Sequence, residues 1–388
     1  MDILADRLKV IPPYLFMTLR KKIQQAKASG LDVINLAIGD PVEPTPSHII
    51  EMLREAALDP CNHKYPTDEE KGMNDFRKAV ARWYKRKYMV DLDPENEILG
   101  LSGSKEGIHQ FVMAVVNPGD IVLLTDPGYP AYRANICMAG GEACIVPIMA
   151  KNKYLPVLED IPTQVCQKAK AFFLNYPNNP TGACASEEFF GRLVAWAKEH
   201  KILLVHDNAY SEIVFAGSDR LSLLQVPGAK QLSVEFNSLS KPYNMTGWRI
   251  GMATGSAEII GAMSKFKENV DSGVFNVIQL AGIKALDEGD SNIEEMISIY
   301  QRRRELVLDT FAAMSITIDA GKGTFYLWIP VPDGFSSQDF TTHLFEKAHV
   351  VVAPGTAYGK YGEGFFRISL TVQDDQLAEA MERIKQYF

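Results

Sequence analysis

The sequence contains no uninterrupted apolar run of membrane-spanning length, so no transmembrane helix is expected. Its opening residues, MDILADRLKVIPPYLF, lack the continuous apolar stretch behind a basic start that marks a secretory signal. Cysteine is scarce. Cys61, Cys137, Cys144, Cys166 and Cys184 are scattered, odd in number and never spaced C-x-x-C. That pattern argues against a disulfide framework or a zinc site and for buried free thiols in a reducing compartment. An excess of basic charge is also missing: the net charge is −8, which argues against a general nucleic-acid surface. Neither an internal repeat nor a low-complexity segment occurs. A cytoplasmic protein is the simplest expectation.

What remains is an ordinary globular composition, 46% hydrophobic and 23% charged, spread over 388 residues. That length suits one large domain with a smaller companion. A helix is predicted over 18–29, followed by the strand-like DVINLAIGD and the proline-rich PVEPTP, whose prolines block regular structure and leave an extended crossing segment. From about residue 47 to 286 short apolar runs recur: EILGLS, DIVLLTD, ACIVPI, KAFFLNY, KILLVHD, QLSVEF and RIGMATG. Several are almost wholly apolar, as buried parallel strands are. Between them SKEGIHQFVMAVV and SEEFFGRLVAWAKEH carry apolar residues at helical spacing. This alternation predicts an α/β domain with helices on both faces of the sheet. After the long charged helix NIEEMISIYQRRRELVLDTF the pattern changes to GTFYLWIPV, a helix near 338–347, VVVAPG, FFRISLTV and a last helix. These form a compact α+β unit of about a hundred residues. The expected divisions are 1–46 as an N-terminal arm and part of the small domain, a large domain over 47–286, and the C-terminal small domain over 287–388.

Five stretches at predicted strand ends carry polar chemistry. In LSGSKEGI, at 101–108, small residues lead straight into a helix beginning near Ser104. Backbone N–H groups at a helix N-terminus attract an anion, and small residues let a phosphate approach. An ordinary N-cap role for Ser104 accounts for the same pattern, and the loop is neither a Walker A loop nor G-x-G-x-x-G. DPGYP, at 126–130, is a turn that also offers Tyr129 as an aromatic plate. NYPNNPTG, at 175–182, is a turn whose Asn179 could give its amide to a ligand oxygen. In VHDNAYSEI, Asp207 ends an apolar strand and Tyr210 follows three residues on. Ligands of open α/β sheets sit outside the carboxyl ends of strands. A carboxylate there is either partnered by a ligand or caps a helix. Lastly NSLSKPYNMTGWRIGMATG, at 237–255, offers Ser238, Ser240, Lys241 and Arg249 around one turn. Desolvation and nearby cations make such a lysine a nucleophile, although plain surface lysines are commoner.

The five stretches together supply an anion cradle, an aromatic plate, a carboxylate, a phenol and a lysine. That set suits a flat, phosphorylated, cationic heterocycle carrying an aldehyde. In the motifs IGDPVEPTP, YPTDEEKG, SGSKEGI, DPGYPAY, YPNNPTG, DNAY, SLSKPYNMTGWRIG and FFRISL the sequence resembles the class I/II, fold-type I pyridoxal-phosphate aminotransferases, over nearly the whole chain. Its first and seventh motifs resemble the subgroup of LL-diaminopimelate aminotransferases and related aspartate, alanine or methionine enzymes. The resemblance implies a mostly parallel seven-stranded sheet between helices, plus a smaller α+β domain. It places pyridoxal 5′-phosphate as an aldimine on Lys241, with Asp207 against the pyridine nitrogen, Tyr210 and Asn179 on the ring hydroxyl oxygen, and Tyr129 stacked on the ring. Ser238, Arg249, Ser104 and the backbone around Lys105 would meet the phosphate, with Tyr65 reaching in from a second subunit of a homodimer. Arg367 would bind the substrate α-carboxylate, Asn179 would contact the substrate as well, and Gly39 would line the substrate side. Lys241, Asp207 and Tyr210 are thus the expected catalytic residues. The implied reaction moves an amino group from an L-amino acid to a 2-oxo acid such as 2-oxoglutarate, by ping-pong kinetics.

Two features depart from the family pattern. Pro242 follows the lysine where a small residue or threonine is usual, and no arginine is marked for a distal substrate carboxylate. In NVDSGVFNVIQ, Asp271 is a candidate charged contact for the side-chain pocket, with interface packing as the plainer role. A lyase or decarboxylase could use the same lysine. A non-catalytic sensor with this fold would carry an additional DNA-binding segment, whereas this sequence opens directly on aminotransferase-like residues.

Overall fold

The computed structural model describes residues 3–11, 15–66, 68 and 71–388, apart from the side chains at 15, 16, 18 and 27. Thr67, Glu69 and Glu70 of the YPTDEEKG motif therefore lie outside the described residues, as do positions 1–2 and 12–14 of the opening stretch.

Seven strands form the main sheet: β2 (Ile98–Leu101), β3 (Ile121–Asp126), β4 (Glu142–Pro147), β5 (Ala169–Leu174), β6 (Leu203–Asp207), β7 (Ser233–Ser238) and β8 (Gly251–Gly255). Their order across the sheet is β2-β8-β7-β6-β5-β3-β4. Every pair is parallel except those made by β8, which is antiparallel to both β2 and β7. All seven expected apolar runs become strands of this α/β sheet. Their lack of polar alternation has a direct cause: both faces are covered. Phe172 of β5 and Leu204 of β6 pack on one side with Phe190 and Leu193 of the helix Glu187–His200. Their neighbours Phe173 and Val205 pack on the other side with Phe111 of the helix Ser104–Val115 and Ile260 of the helix Ala257–Lys267. Each such buried side chain contributes about 1.5–3 kcal/mol.

Local signals fix the helix ends. Ser186 Oγ accepts from Phe189 N–H at 3.1 Å, two glutamates occupy the first turn, and Lys201 closes the helix in the left-handed conformation.

The remaining strands lie outside this sheet. Of the strand-like DVINLAIGD only β1 (Ile34–Asn35) is a strand, parallel to β10 (Val350–Val351). β9 (Tyr326–Pro330), β11 (Ala353–Pro354) and β12 (Phe365–Ser369) form an antiparallel sheet in the order β11-β12-β9. Ile34 and Leu36 join the core beneath it, together with Val307, Phe340, Phe366 and Leu377. Among the described residues no helix is long and apolar enough to cross a membrane. All five cysteines are free, but only Cys166 is buried and Cys61 is exposed, so the expectation of buried thiols holds for one alone.

Candidate active site

The carboxyl ends of β2, β3, β5, β6 and β7 open at one edge of the main sheet, where parallel α/β sheets bind ligands. Because β8 runs the other way, its amino end lies at the same edge: Gly251 faces Ser238 across the β7–β8 ladder, which brings Arg249 beside the turn that carries Lys241. A cavity of about 450 Å³ occupies this edge. Ser104, Lys105, Tyr129, Asn179, Asp207, Tyr210, Ser238, Lys241, Arg249, Gly39 and Arg367 all line it. Tyr65 does not; it is 74% exposed, away from this cavity.

Lys241 Nζ donates to Gly39 O at 2.9 Å. Burial lowers its pKa to about 8, Arg249 and Arg367 push the same way, and Asp40 opposes them. In the cofactor-free protein the amine is therefore neutral above about pH 8. The rate of recombination with pyridoxal phosphate is expected to rise with pH through about 8 and then level off. A rise that continues to about 10.4, the ordinary lysine value, would contradict this environment. Pro242 fits the turn without strain on its hydrogen bonds. Tyr243 N–H reaches Leu239 O and Met245 N–H reaches Ser240 O, so the bonds run around the missing proline N–H.

Asp207 ends β6 in a buried position. Tyr132 Oη donates to its Oδ2 at 2.6 Å, while Oδ1 is buried with no protein partner. Burial raises the carboxyl pKa, and the Tyr132 bond and His206 counter it in part. Asn175 locks the strand end, donating to Asp207 O at 2.7 Å and accepting from Asn179 N–H at 2.7 Å. Asn178 holds the adjoining turn through Thr181. The dense asparagines thus divide: Asn178 builds the turn, Asn175 both builds it and lines the cavity, and Asn179 faces the cavity.

At the anion end, Gly103 rather than Ser104 is the N-cap, so the N-cap role considered for Ser104 is corrected: it is the first helical residue. A side chain at Gly103 would meet Arg249 Nη2 at 2.3 Å, and its φ of +88° is itself a glycine conformation. Glycine therefore lets the guanidinium lie over the helix N-terminus. At the other end Arg367 is buried, donating Nη1 to Asn179 Oδ1 and Nη2 to Ala37 O at 2.7 and 2.5 Å. Its guanidinium lies 3.7 Å from the ring centroid of Tyr326 and 4.9 Å from that of Tyr358. Tyr210 and Tyr326 share a hydroxyl contact of 3.2 Å. At Gly39 a Cβ would stand 1.9 Å from Tyr326 Oη, so no side chain fits there.

Sequence reasoning missed Tyr132, Asn175, Tyr326 and, from the helix Leu15–Ala28, Met17 and Arg20, all of which line the cavity. Tyr132 closes the same DPGYPAY motif as Tyr129 and is its second aromatic residue; nothing in the sequence flags Arg20. Asp271 is corrected: it does not line the cavity and is bound instead by Lys267 at 2.7 Å and by Gly273 N–H.

These residues fit the cofactor implied by the resemblance. The unpartnered Oδ1 of Asp207 can receive a pyridinium N–H, and the Gly103–Arg249 cradle can take a phosphate. The amine of Lys241 stands between them and Arg367. The family of class I and II aminotransferases matches residues 31–384. LL-diaminopimelate aminotransferases from Aquifex aeolicus and Halothermothrix orenii are 50% and 48% identical over 381 residues. The alignments span 98% of this chain and 98% and 97% of those proteins. Among solved structures, substrate-bound BacF from Bacillus subtilis has a TM-score of 0.96 at 38% identity, covering 100% of this chain and 98% of that one. A double mutant of Thermus thermophilus aspartate aminotransferase gives 0.93 at 28% identity over the whole of both chains. The cavity, its lysine and these relatives agree, and the chain belongs to the class I and II aminotransferases, which transfer amino groups with pyridoxal phosphate.

Proposed function

We propose that this aminotransferase takes LL-diaminopimelate as its amino donor and 2-oxoglutarate as its acceptor, in a ping-pong sequence where the first oxo acid leaves before the second binds. The observation that carries this reading is the charge of the cavity. Arg20, Lys105, Lys241, Arg249 and Arg367 line it, against the single carboxylate of Asp207. Arg249 is assigned to the phosphate, because its planar fork matches phosphate oxygens. Arg367 is assigned to the α-carboxylate, held in place by Asn179 and the two tyrosine rings. Arg20, at the mouth, then remains for a distal carboxylate, which both diaminopimelate and 2-oxoglutarate possess. The LL-diaminopimelate aminotransferases, at 48% and 50% identity, favour diaminopimelate over aspartate, alanine or methionine.

Bound pyridoxal phosphate supplies the electron sink for the pair left when the substrate Cα–H bond breaks. The protein's share is to hold and to move protons. When the cofactor is bound, Asp207 would keep a proton on the ring nitrogen, Tyr210 and Asn179 would hold the ring oxygen, Tyr129 would bind the ring, and Ser238 and Ser104 would join Arg249 on the phosphate. Lys241 would anchor the cofactor and, as a free amine, would take the proton from the substrate Cα.

The same reading divides the chain into 1–46, 47–286 and 287–388, supported by the packing of Ile34 and Leu36 against the C-terminal core. It also makes the enzyme a cytoplasmic homodimer in which Tyr65 completes the neighbour's phosphate site. Exposed Ile50 and Leu58 on the helix Ser47–Leu58, with exposed Phe275 at the start of the adjoining helix Asn276–Glu288, support a subunit face there.

A panel of amino donors against 2-oxoglutarate tests the substrate. LL-diaminopimelate is expected to give the highest kcat/KM, with parallel double-reciprocal lines and stoichiometric glutamate. Release of ammonia or CO2 without an acceptor would point to a lyase instead. A fully active monomer would overturn the dimer.

A further inference from the structure

Behind the phosphate cradle lies a buried charge cluster to which none of the roles above applies. Lys267, the last residue of the helix Ala257–Lys267, is completely buried. Its Nζ donates to Glu106 Oε1 at 3.2 Å and to both carboxylate oxygens of Asp271 at 2.7 Å. Glu106 sits in the first turn of the helix Ser104–Val115. Its Oε2 accepts from Ser102 N–H at 2.6 Å, and Oε1 also accepts from the Gln110 amide. Asp271 in turn accepts from Gly273 N–H at 2.7 Å.

This arrangement creates an electrostatic problem that Lys267 solves. Glu106 is useful to the cradle, because its bond to Ser102 fixes the loop that leads into Gly103 and Ser104. Yet its negative charge lies at the same helix N-terminus whose positive potential attracts the phosphate. Burial pushes the Glu106 carboxyl upward, and Lys267 pulls it back toward the ionised form. Asp271 lies below its ordinary value: burial opposes that, and the Lys267 and Gly273 bonds outweigh it. No other lysine or arginine among the described residues is recorded within bonding distance of either carboxylate.

We propose that Lys267 is a positioning residue of the phosphate cradle, its ammonium shared between Asp271 and Glu106 and offsetting the Glu106 charge so that one helix N-terminus can hold both the loop-fixing carboxylate and the cofactor phosphate. The inference rests on the assignment of the phosphate to Ser104, Lys105 and Arg249. It predicts an effect specific to the phosphate, which a general loss of packing would not produce.

The test compares the affinity of the cofactor-free enzyme for pyridoxal phosphate and for pyridoxal, which lacks the phosphate. Lys267→Met is expected to weaken pyridoxal phosphate by about 10- to 100-fold, the size of an uncompensated charge nearby, and to leave pyridoxal unchanged. Adding Glu106→Gln to that variant removes one of the two carboxylates that Lys267 had paired and is expected to restore part of the loss. Equal weakening of both ligands, no weakening, or no recovery in the double variant would overturn the proposal. Should Lys267→Met fail to fold, Glu106→Gln alone decides: the preference for pyridoxal phosphate over pyridoxal rises at least about threefold if Glu106 opposes the phosphate. An unchanged preference overturns the proposal. Arg249→Met serves as the control. If it leaves the preference unaltered, the cradle assignment itself is wrong; if it abolishes the preference while Lys267→Met does not, only the role of Lys267 falls.

Discussion

Replacing Lys241 by alanine is expected to lower the rate of amino transfer by at least about 10⁴-fold, because the residue both anchors the cofactor and moves the proton. General acid–base catalysis alone is worth about 10²- to 10⁴-fold, and the loss of the covalent anchor adds to it. The fold should survive the change. Lys241 has one recorded side-chain hydrogen bond, to Gly39 O, and burial already disfavours its charge. The variant should therefore keep a normal melting temperature without cofactor and lose the yellow absorbance that borohydride fixes. Single-turnover rates with excess pyridoxal phosphate and donor give the magnitude. A variant that unfolds, or one that keeps the reducible absorbance, contradicts the assignment.

Asp207→Asn should be nearly as damaging, by about 10²- to 4 × 10³-fold in the same half-reaction. Breaking one side of a buried charge pair costs about 3–5 kcal/mol, and each 1.4 kcal/mol is tenfold. Asparagine preserves the shape and can still meet Tyr132 Oη, so the loss isolates the charge. The pH dependence follows from the same carboxyl. Its pKa is raised in the free protein, chiefly by burial. Between the ordinary carboxylate value and this raised one, the folded chain binds more protons than the unfolded chain. Cofactor-free stability therefore falls as pH rises through that window. Cofactor binding runs the opposite way, since a protonated ring nitrogen needs the ionised carboxylate. In the wild type the affinity for pyridoxal phosphate should weaken as pH falls through the raised pKa, and in Asp207→Asn that acid limb should vanish. Fluorescence titration of the cofactor-free proteins across pH reads both effects. An identical acid limb in the two proteins would assign it to another group.

The sequence made the main sheet legible because its strands are buried on both faces, which leaves unbroken apolar runs such as AFFL and ILLV with polar residues only at their ends. The same physics exposed Asp207, Ser238 and Lys241: polar groups at the ends of apolar strands stand out. Less visible was anything assembled from distant parts of the chain. Arg20 reaches the cavity from an exposed helix, and Tyr326 matters because it closes on Gly39, nearly three hundred positions earlier. Tyr132 is the one aromatic residue of the helix Ala131–Met138, and only the fold turns its hydroxyl toward Asp207. The stretch DVINLAIGD has the composition of a long strand but pairs over two residues, because Leu36 to Asp40 instead crosses to the cavity. There Arg367 holds Ala37 O, and Thr371 Oγ1 holds Ile38 O. Asp271 misled for the opposite reason. A charged residue in a candidate pocket segment carries no mark that its partner is a buried lysine four residues earlier, at the end of the preceding helix.

The central claim is that amino transfer in this protein runs through Lys241. Borohydride reduction of the wild-type enzyme, followed by digestion and mass spectrometry, tests it most directly. The account predicts a single pyridoxyl-phosphate adduct, on the peptide that contains Lys241 and in amounts equal to the activity lost. An adduct on Lys105 or any other lysine, or loss of activity with no adduct on Lys241, would contradict it.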